Sequence, residues 1–245
     1  MAGARTGNLE ILRRVCVITG ASGVLGTAFI RRFRAQYSIV AIHNRHALPF
    51  PTQDQIFVDP LDPKKPLAAN ENPISAIRAD LSDAQSIEKL CLEIRREFRR
   101  VDLLINAAAA GAWRSFLSAA ALADAEYAFR VNVLAPLRLA TGFARHFWCS
   151  QIEENIGCRR NIVNISSTAG IYVYPDLGQG VYGACKAALN HATYHLASEF
   201  WDIGIRVNAV APNSFPGRVP IDVVLDQIIT FDAGEDTGQL AVLDE

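Results

Sequence analysis

Short apolar runs alternate along this chain with longer amphipathic segments, and that rhythm leaves few folds open to it. Residues 15–18, 39–42, 74–78, 103–105, 162–165 and 206–210 read as strands. Helical spacing occupies 25–36, 86–99, 182–201 and about 221–229, plus a longer stretch, 124–148, that Pro136 should interrupt. Strands that are apolar on both faces and separated by helices belong to a parallel sheet covered on both sides. The expected fold is α/β, a doubly wound parallel sheet with helices on both faces. Ligands are then expected at the carboxyl ends of the strands. At 245 residues, a single domain spanning 1–245 accounts for the chain, and no internal repeat divides it.

Residues 47–73 break the rhythm. Pro49, Pro51, Pro60, Pro63, Pro66 and Pro73 exclude a regular helix there. A connection of that length without a helix is unusual. It reads as a Pro-rich insertion with a short extra strand at 55–58, serving either as a surface excursion or as a lid or partner-binding segment.

Composition narrows the function classes. A net charge of -1 gives no general attraction to nucleic acid or to an acidic membrane surface, so neither is expected as a partner. Cys16, Cys91, Cys149, Cys158 and Cys185 are scattered without a Cys-x-x-Cys pair, which argues against zinc, any other metal, or a disulfide framework. Reduced thiols, and a polar stretch at 1–8 without a signal-like apolar core, point to the cytoplasm.

The first strand runs into Thr19-Gly20-Ala21-Ser22-Gly23-Val24-Leu25-Gly26 and then a helix. Glycines there allow a sharp turn and close approach to a pyrophosphate held at the helix N-terminus. Gly20, Ser22, Gly23, Leu25 and Gly26 are the candidate contacts. The second strand ends His43-Asn44-Arg45-His46, with no carboxylate to bond a ribose 2′-hydroxyl. Asn44 and Arg45 suit a 2′-phosphate instead, favouring NADP (NADPH) over NAD.

Tyr182 and Lys186 stand four apart, one turn along a helix face. A nearby ammonium favours the phenolate, so Lys186 is expected to lower the Tyr182 pKa and make it a usable acid or base. Ser167 ends an apolar run and can bring a hydroxyl to the same point, while its neighbour Ser166 should face away.

In order along the chain these residues resemble the short-chain dehydrogenase/reductase family, from about Arg14 to Val242. Asp80-Leu81 matches the pair that flanks the adenine, and Asn106-Ala107-Ala108-Ala109 stands in place of Asn-Asn-Ala-Gly. Asn132, Ser167, Tyr182 and Lys186 match the catalytic set, and 208–212 matches the strand that leads to the nicotinamide. The resemblance implies a Rossmann fold that binds its cofactor through Asp80, Leu81, Asn106, Ala107, Ala108, Tyr182, Lys186, Pro212 and Phe215. It implies hydride exchange between the nicotinamide and a small-molecule or carrier-bound carbonyl or alcohol. Tyr182 would pass the proton, Ser167 would polarise the oxygen, and Lys186 would bind the ribose. Asn132 would hold a water of a proton relay. A homodimer or homotetramer through 124–148 and 182–201 is also implied.

Departures keep other readings open. Val24 and Asn213 replace usual glycines, Gly217 falls where a Thr is common, and 213–237 is short. An open site follows, suited to a bulky substrate or completed by another subunit. A nucleotide-binding regulator or scaffold without turnover is the alternative. A sugar-nucleotide epimerase or dehydratase ranks below it, because the chain is short for a sugar-binding domain.

Overall fold

A computed structural model describes residues 13–52, 58–59, 62–66, 74–175 and 177–244. Its strands in chain order are β1 (Arg14–Thr19), β2 (Tyr37–His43), β3 (Val58–Asp59), β4 (Asp62–Pro66), β5 (Ser75–Arg78), β6 (Leu103–Asn106), β7 (Asn161–Ile165), β8 (Arg206–Pro212) and β9 (Leu240–Leu243). Seven of them form one sheet in the order β5-β2-β1-β6-β7-β8-β9, and every neighbouring pair is parallel. The strand order reverses between β1 and β6, which opens a crevice at their carboxyl ends. The α/β doubly wound sheet is as expected.

Side chains alternate between two apolar layers, as the strand period requires. Val15, Val17, Val40, Ile42, Leu104, Ile162 and Val207 face α2 (Ala84–Glu97), α4 (Ala135–Phe143) and α6 (Gly180–Phe200). Cys16, Ile18, Ile39, Ala41, Ile105, Val163 and Val210 face α1 (Val24–Phe33) and α7 (Ile221–Ala233). Helix α2 shows how local sequence sets an element. Asp83 caps it by accepting from the Gln85 and Ser86 amides, both at 3.1 Å, and Ile87, Leu90, Cys91 and Ile94 form its buried stripe.

Three local readings need correction. Pro136 does not interrupt the long helix. Helix α3 (Ala125–Phe129) continues through a π turn, Arg130–Leu134, into α4 and a second π turn, Ala144–Trp148. Proline lacks an amide and clashes with the carbonyl four residues back, here that of Asn132, and the wider turn absorbs both defects. A short helix, α5 (Ile152–Gly157), was not expected, since six residues carry too little periodicity to read. In the Pro-rich insertion, β3 and β4 pair antiparallel apart from the main sheet. The strand expected at 55–58 meets this hairpin only at Val58, because 55–57 lie outside the described residues. Among the described residues, no helix is long and apolar enough to cross a membrane.

The amino ends of the strands are closed by charge. Asp102, fully buried, accepts from the Val15 amide at 2.8 Å and from Arg100 at 2.6 Å, and pairs with fully buried Arg160 at 3.3 Å. Arg160 also donates to Gln151 at 3.0 Å and to Asn155 and Glu154, tying α5 to the sheet. Removing one partner from such a set leaves a buried charge incompletely compensated. Arg160→Ala is therefore expected to cost about 3 kcal/mol of unfolding free energy. Urea denaturation of the two proteins checks it.

Candidate active site

Two clefts lie at the carboxyl ends of the strands. The first, of about 390 Å³, is lined by Gly20, Ser22 and Gly23 after β1, by 42–46 at the end of β2, by Asp80 and Leu81 after β5, and by Ala107 and Ala108 after β6. Gly20 has φ +65, and a side chain built there would lie 2.8 Å from the Ala108 backbone, so only glycine fits. Thr19 holds the β6 loop to this floor, its hydroxyl accepting from the Ala107 and Ala108 amides at 3.0 and 3.1 Å.

Helix α1 starts at Gly23 with no side-chain cap and no acidic residue in its first turn. Its free N–H groups are oriented for an anionic group. Of the predicted cofactor contacts, Leu25 is buried in the core, Gly26 packs under Gly20, and Asn106 is buried below the cleft. Asn106 donates to Asn164 at 2.8 Å, and its buried side-chain oxygen has no partner among the described residues. A floor that a Cβ would fill, an uncapped helix end and an orphaned acceptor together fit a dinucleotide.

The acidic residue lining this cleft, Asp80, is already engaged. The Ser82 amide and hydroxyl reach it at 2.9 and 2.8 Å, and with Arg45 nearby they hold its carboxyl below the usual carboxylate range. Exposed Arg45 stands among His43, Asn44 and His46.

The second cleft, of about 400 Å³, holds Ser167, Tyr182, Pro212 and Phe215. Helix α6 approaches the 168–170 turn closely, since a side chain at Gly183 would meet the Ala169 carbonyl at 2.7 Å. That approach places Tyr182 beside Ser167 on the wall of the cleft. Burial pushes the Tyr182 pKa up, and the Ser167 hydrogen bond only partly opposes this. The expected depression by Lys186 is thus corrected. The ammonium sits 5.6 Å from the centre of the phenol ring, and it donates to the Ile165 carbonyl at 2.7 Å.

Ser166 turns into the interior, bonding Asn190, although it too borders the cleft. Asn132 is fully buried in the first π turn. Its amide donates at 2.8 Å to the carbonyls of both Ala110 and Ala128, and its oxygen accepts from the Ala110 amide at 3.2 Å. These bonds fasten the loop after β6 to the helix.

Trp113 stacks on Tyr182 with ring centres 5.2 Å apart and planes at 22°. Tyr174 lines the same cleft and donates to Thr168 at 2.8 Å, whereas Tyr172 does not line it. Sequence reasoning missed Gln179, Leu177 and Arg218, which no motif marks. The Gln179 side-chain oxygen is buried with no partner among the described residues. Asn213, which departs from the glycine of the family pattern, donates to Asp244 at 2.6 Å and anchors the loop after β8 to the end of the chain.

Burial lowers the Lys186 pKa from 10.5 to about 8. Below that pH both folded and unfolded chains are protonated, and the fold bears the cost of a buried charge. Between pH 8 and 10.5 the unfolded chain binds more protons, so stability rises through that window. Lys186→Met removes the charge and also a hydrogen bond. It is expected to gain about 1–2 kcal/mol at pH 7 and to flatten the rise above pH 8. Thermal unfolding across pH 6–11 in both proteins reads the effect.

The family described as short chain dehydrogenase matches residues 14–219. An uncharacterized oxidoreductase, UxuB of Bacillus subtilis (strain 168), is 30% identical over 225 residues, covering 89% of this chain and 77% of that protein. The acetoacetyl-CoA reductase of Allochromatium vinosum is 26% identical, covering 82% of this chain and 74% of that protein. A solved structure of a Brucella ovis oxidoreductase of the short chain dehydrogenase/reductase family, in complex with a partially ordered NAD, superposes with a TM-score of 0.70. It is 27% identical and covers 94% of this chain and 99% of that one.

Proposed function

The chain belongs to the short-chain dehydrogenase family and is an NAD(P)-dependent oxidoreductase; from that premise we propose that it uses NADP(H) to reduce a carbonyl, with Tyr182 as the proton donor. The observation that carries this is Tyr182 and Ser167 lining one cleft at the carboxyl ends of the strands, with Ser167 close enough to favour the phenolate, while the glycine floor lines another cleft at the same end of the sheet. With its pKa raised by burial, the phenol stays protonated at neutral pH and carries the proton that a substrate oxygen would take. Ser167 donates to the same substrate oxygen and stabilises the charge that develops there.

The nicotinamide, when bound, supplies the hydride. Gly20, Ser22, Gly23, Asp80, Leu81, Ala107 and Ala108 would hold the nucleotide half, with Leu25, Gly26 and Asn106 supporting them from below. Pro212 and Phe215 would flank the nicotinamide half, and Lys186 would bind its ribose. Asn132 acts by fixing the Ala110 loop that carries Trp113, and a water held by its backbone neighbours can extend a proton path.

Although the Brucella ovis protein is seen with NAD, this chain sets Arg45 and Asn44 at the end of β2. Asp80 is the acidic residue in that cleft and is already bonded to Ser82. A 2′-phosphate would meet the Arg45 guanidinium there, at the end of β2 where no carboxylate stands. The substrate is a carbonyl compound with an apolar body, small or carrier-bound. Trp113 and Leu177 line the cleft yet are more than half exposed, and an acetoacetyl-CoA reductase stands among the relatives. Ala184 and Ala187 on α6 face outward, which supports a homodimer or homotetramer through that helix, in a cytoplasmic enzyme.

Tyr182→Phe keeps the ring and removes the proton. It is expected to bind NADPH normally while turnover on a panel of aryl ketones, quinones and β-ketoacyl thioesters drops by about a hundredfold or more. Wild-type binding of NADPH with no oxidation on any of them would make the chain a nucleotide-binding regulator instead. In Arg45→Ala, KM for NADPH should rise by about 10–100-fold with that for NADH unchanged, as the loss of one charged hydrogen bond predicts. Steady-state kinetics with each cofactor decides it.

A further inference from the structure

The cleft that holds Tyr182 and Ser167 has a charge of one sign. Among the described residues that line it, Arg218 is the one charged side chain, and no carboxylate stands with it. Two backbone bonds hold this arginine in the turn after β8. Its amide donates to the Ser214 carbonyl and its Nε to the Asp244 carbonyl, both at 2.9 Å. The Asp244 carboxylate is engaged elsewhere, accepting from the Asn213 side chain at 2.6 Å. The two Nη groups make no hydrogen bond or ion pair with any described residue. A guanidinium anchored through Nε presents those groups as a fork that matches the two oxygens of a carboxylate. The phosphates of a dinucleotide are expected at the uncapped start of α1, which opens on the other cleft, and Arg218 does not line that one.

We propose that Arg218 selects the substrate, a keto acid whose carboxylate pairs with the guanidinium. Its apolar body would lie on Trp113 and Leu177 and its carbonyl would reach Tyr182 and Ser167, all of which line the same cleft. The proposal rests on the reading of Tyr182 and Ser167 as the carbonyl site. A neutral ketone leaves the fork to water and gains nothing from it, so the cleft discriminates by charge. Arg218 acts in binding and takes no part in proton or hydride transfer.

The test pairs carboxylates with neutral analogues of similar shape, on full-length protein loaded with NADPH. Benzoylformate, 3-benzoylpropionate and 4-acetylbenzoate are compared with their methyl esters as substrates, and biphenyl-4-carboxylate with its amide as a ligand in calorimetry. The best keto acid should exceed its ester in kcat/KM by about 10–100-fold, chiefly through KM, as one charged hydrogen-bonded pair predicts. Arg218→Gln should bring that ratio close to one and abolish the preference for biphenyl-4-carboxylate over its amide, and Arg218→Lys should restore part of both. Equal turnover of acids and esters by the wild type, with equal binding of carboxylate and amide, overturns the proposal and leaves the reductase reading standing. A rise in KM for NADPH in Arg218→Gln, with the acid-to-ester ratio intact, assigns the guanidinium to the cofactor and also overturns it. Carboxylate binding that depends on Arg218, with no ketone reduced, keeps the anion site and sinks the reductase instead. Arg218 is exposed, and circular dichroism of the variants excludes unfolding as the cause.

Discussion

The bond from the Lys186 ammonium to the Ile165 carbonyl joins the longest helix to the end of a central strand, and the candidate site is arranged around it. It is an unusual fastening. A lysine is among the last residues a core accepts, and burial here drags its pKa down to about 8. An apolar residue would pack more favourably. What the ammonium adds is register: its bond to the Ile165 carbonyl ties α6 to the end of β7, and with it Tyr182 beside Ser167. Gly183 and the 168–170 turn make the same point by shape, since the helix could not come so close with any side chain at 183. The fold gives up stability at this spot to set a geometry.

The two ends of the sheet are treated in opposite ways. At the amino ends, Asp102, Arg160 and Asn155 form one buried network. Arg14, Tyr37 and Arg206 converge on Asp232, whose carboxyl accepts from Tyr37 at 2.7 Å and pairs with Arg14 at 2.9 Å. The Nε atoms of Arg14 and Arg206 are nonetheless buried there without partners among the described residues. At the carboxyl ends, the α1 amino terminus lacks a side-chain cap, and Asn106 and Gln179 keep buried oxygens without partners among the described residues. What sets the carboxyl ends apart is the uncapped helix end, whose N–H groups suit an anionic ligand.

Much of this was legible in sequence, for identifiable reasons. Strands with two buried faces leave continuous apolar runs, so β1, β2, β6, β7 and β8 could be read to within a residue or two. Gly20 and Ser167 sit where a strand ends, and the chemistry of those positions follows from topology. Two things could not be read. The direction of the Tyr182 shift depends on how much protein surrounds the phenol and on where the ammonium points, and neither is written in a four-residue spacing. The continuity of the helix through Pro136 depends on Asn132, whose amide takes over the Ala128 carbonyl inside a widened turn. Such a rescue needs a residue, a turn type and a partner loop together.

The shortened segment after β8 has a consequence for where specificity resides. Asn213 is bound to Asp244 and its amide to Leu243, so the loop is held down against β9. Helix α7 then packs beside α1 on the core and not over the cleft. The rim is instead built from the loops after β6 and β7. A side chain at Gly178 would meet the Ser115 amide at 3.0 Å, Phe116 packs on Gly180, and Trp113 rests on Tyr182. These two loops carry Leu117 and Val173, almost fully exposed, around the opening. Exposed apolar side chains in that number, on the loops after β6 and β7 that also place Trp113 against Tyr182, are the kind of surface a ligand or partner covers.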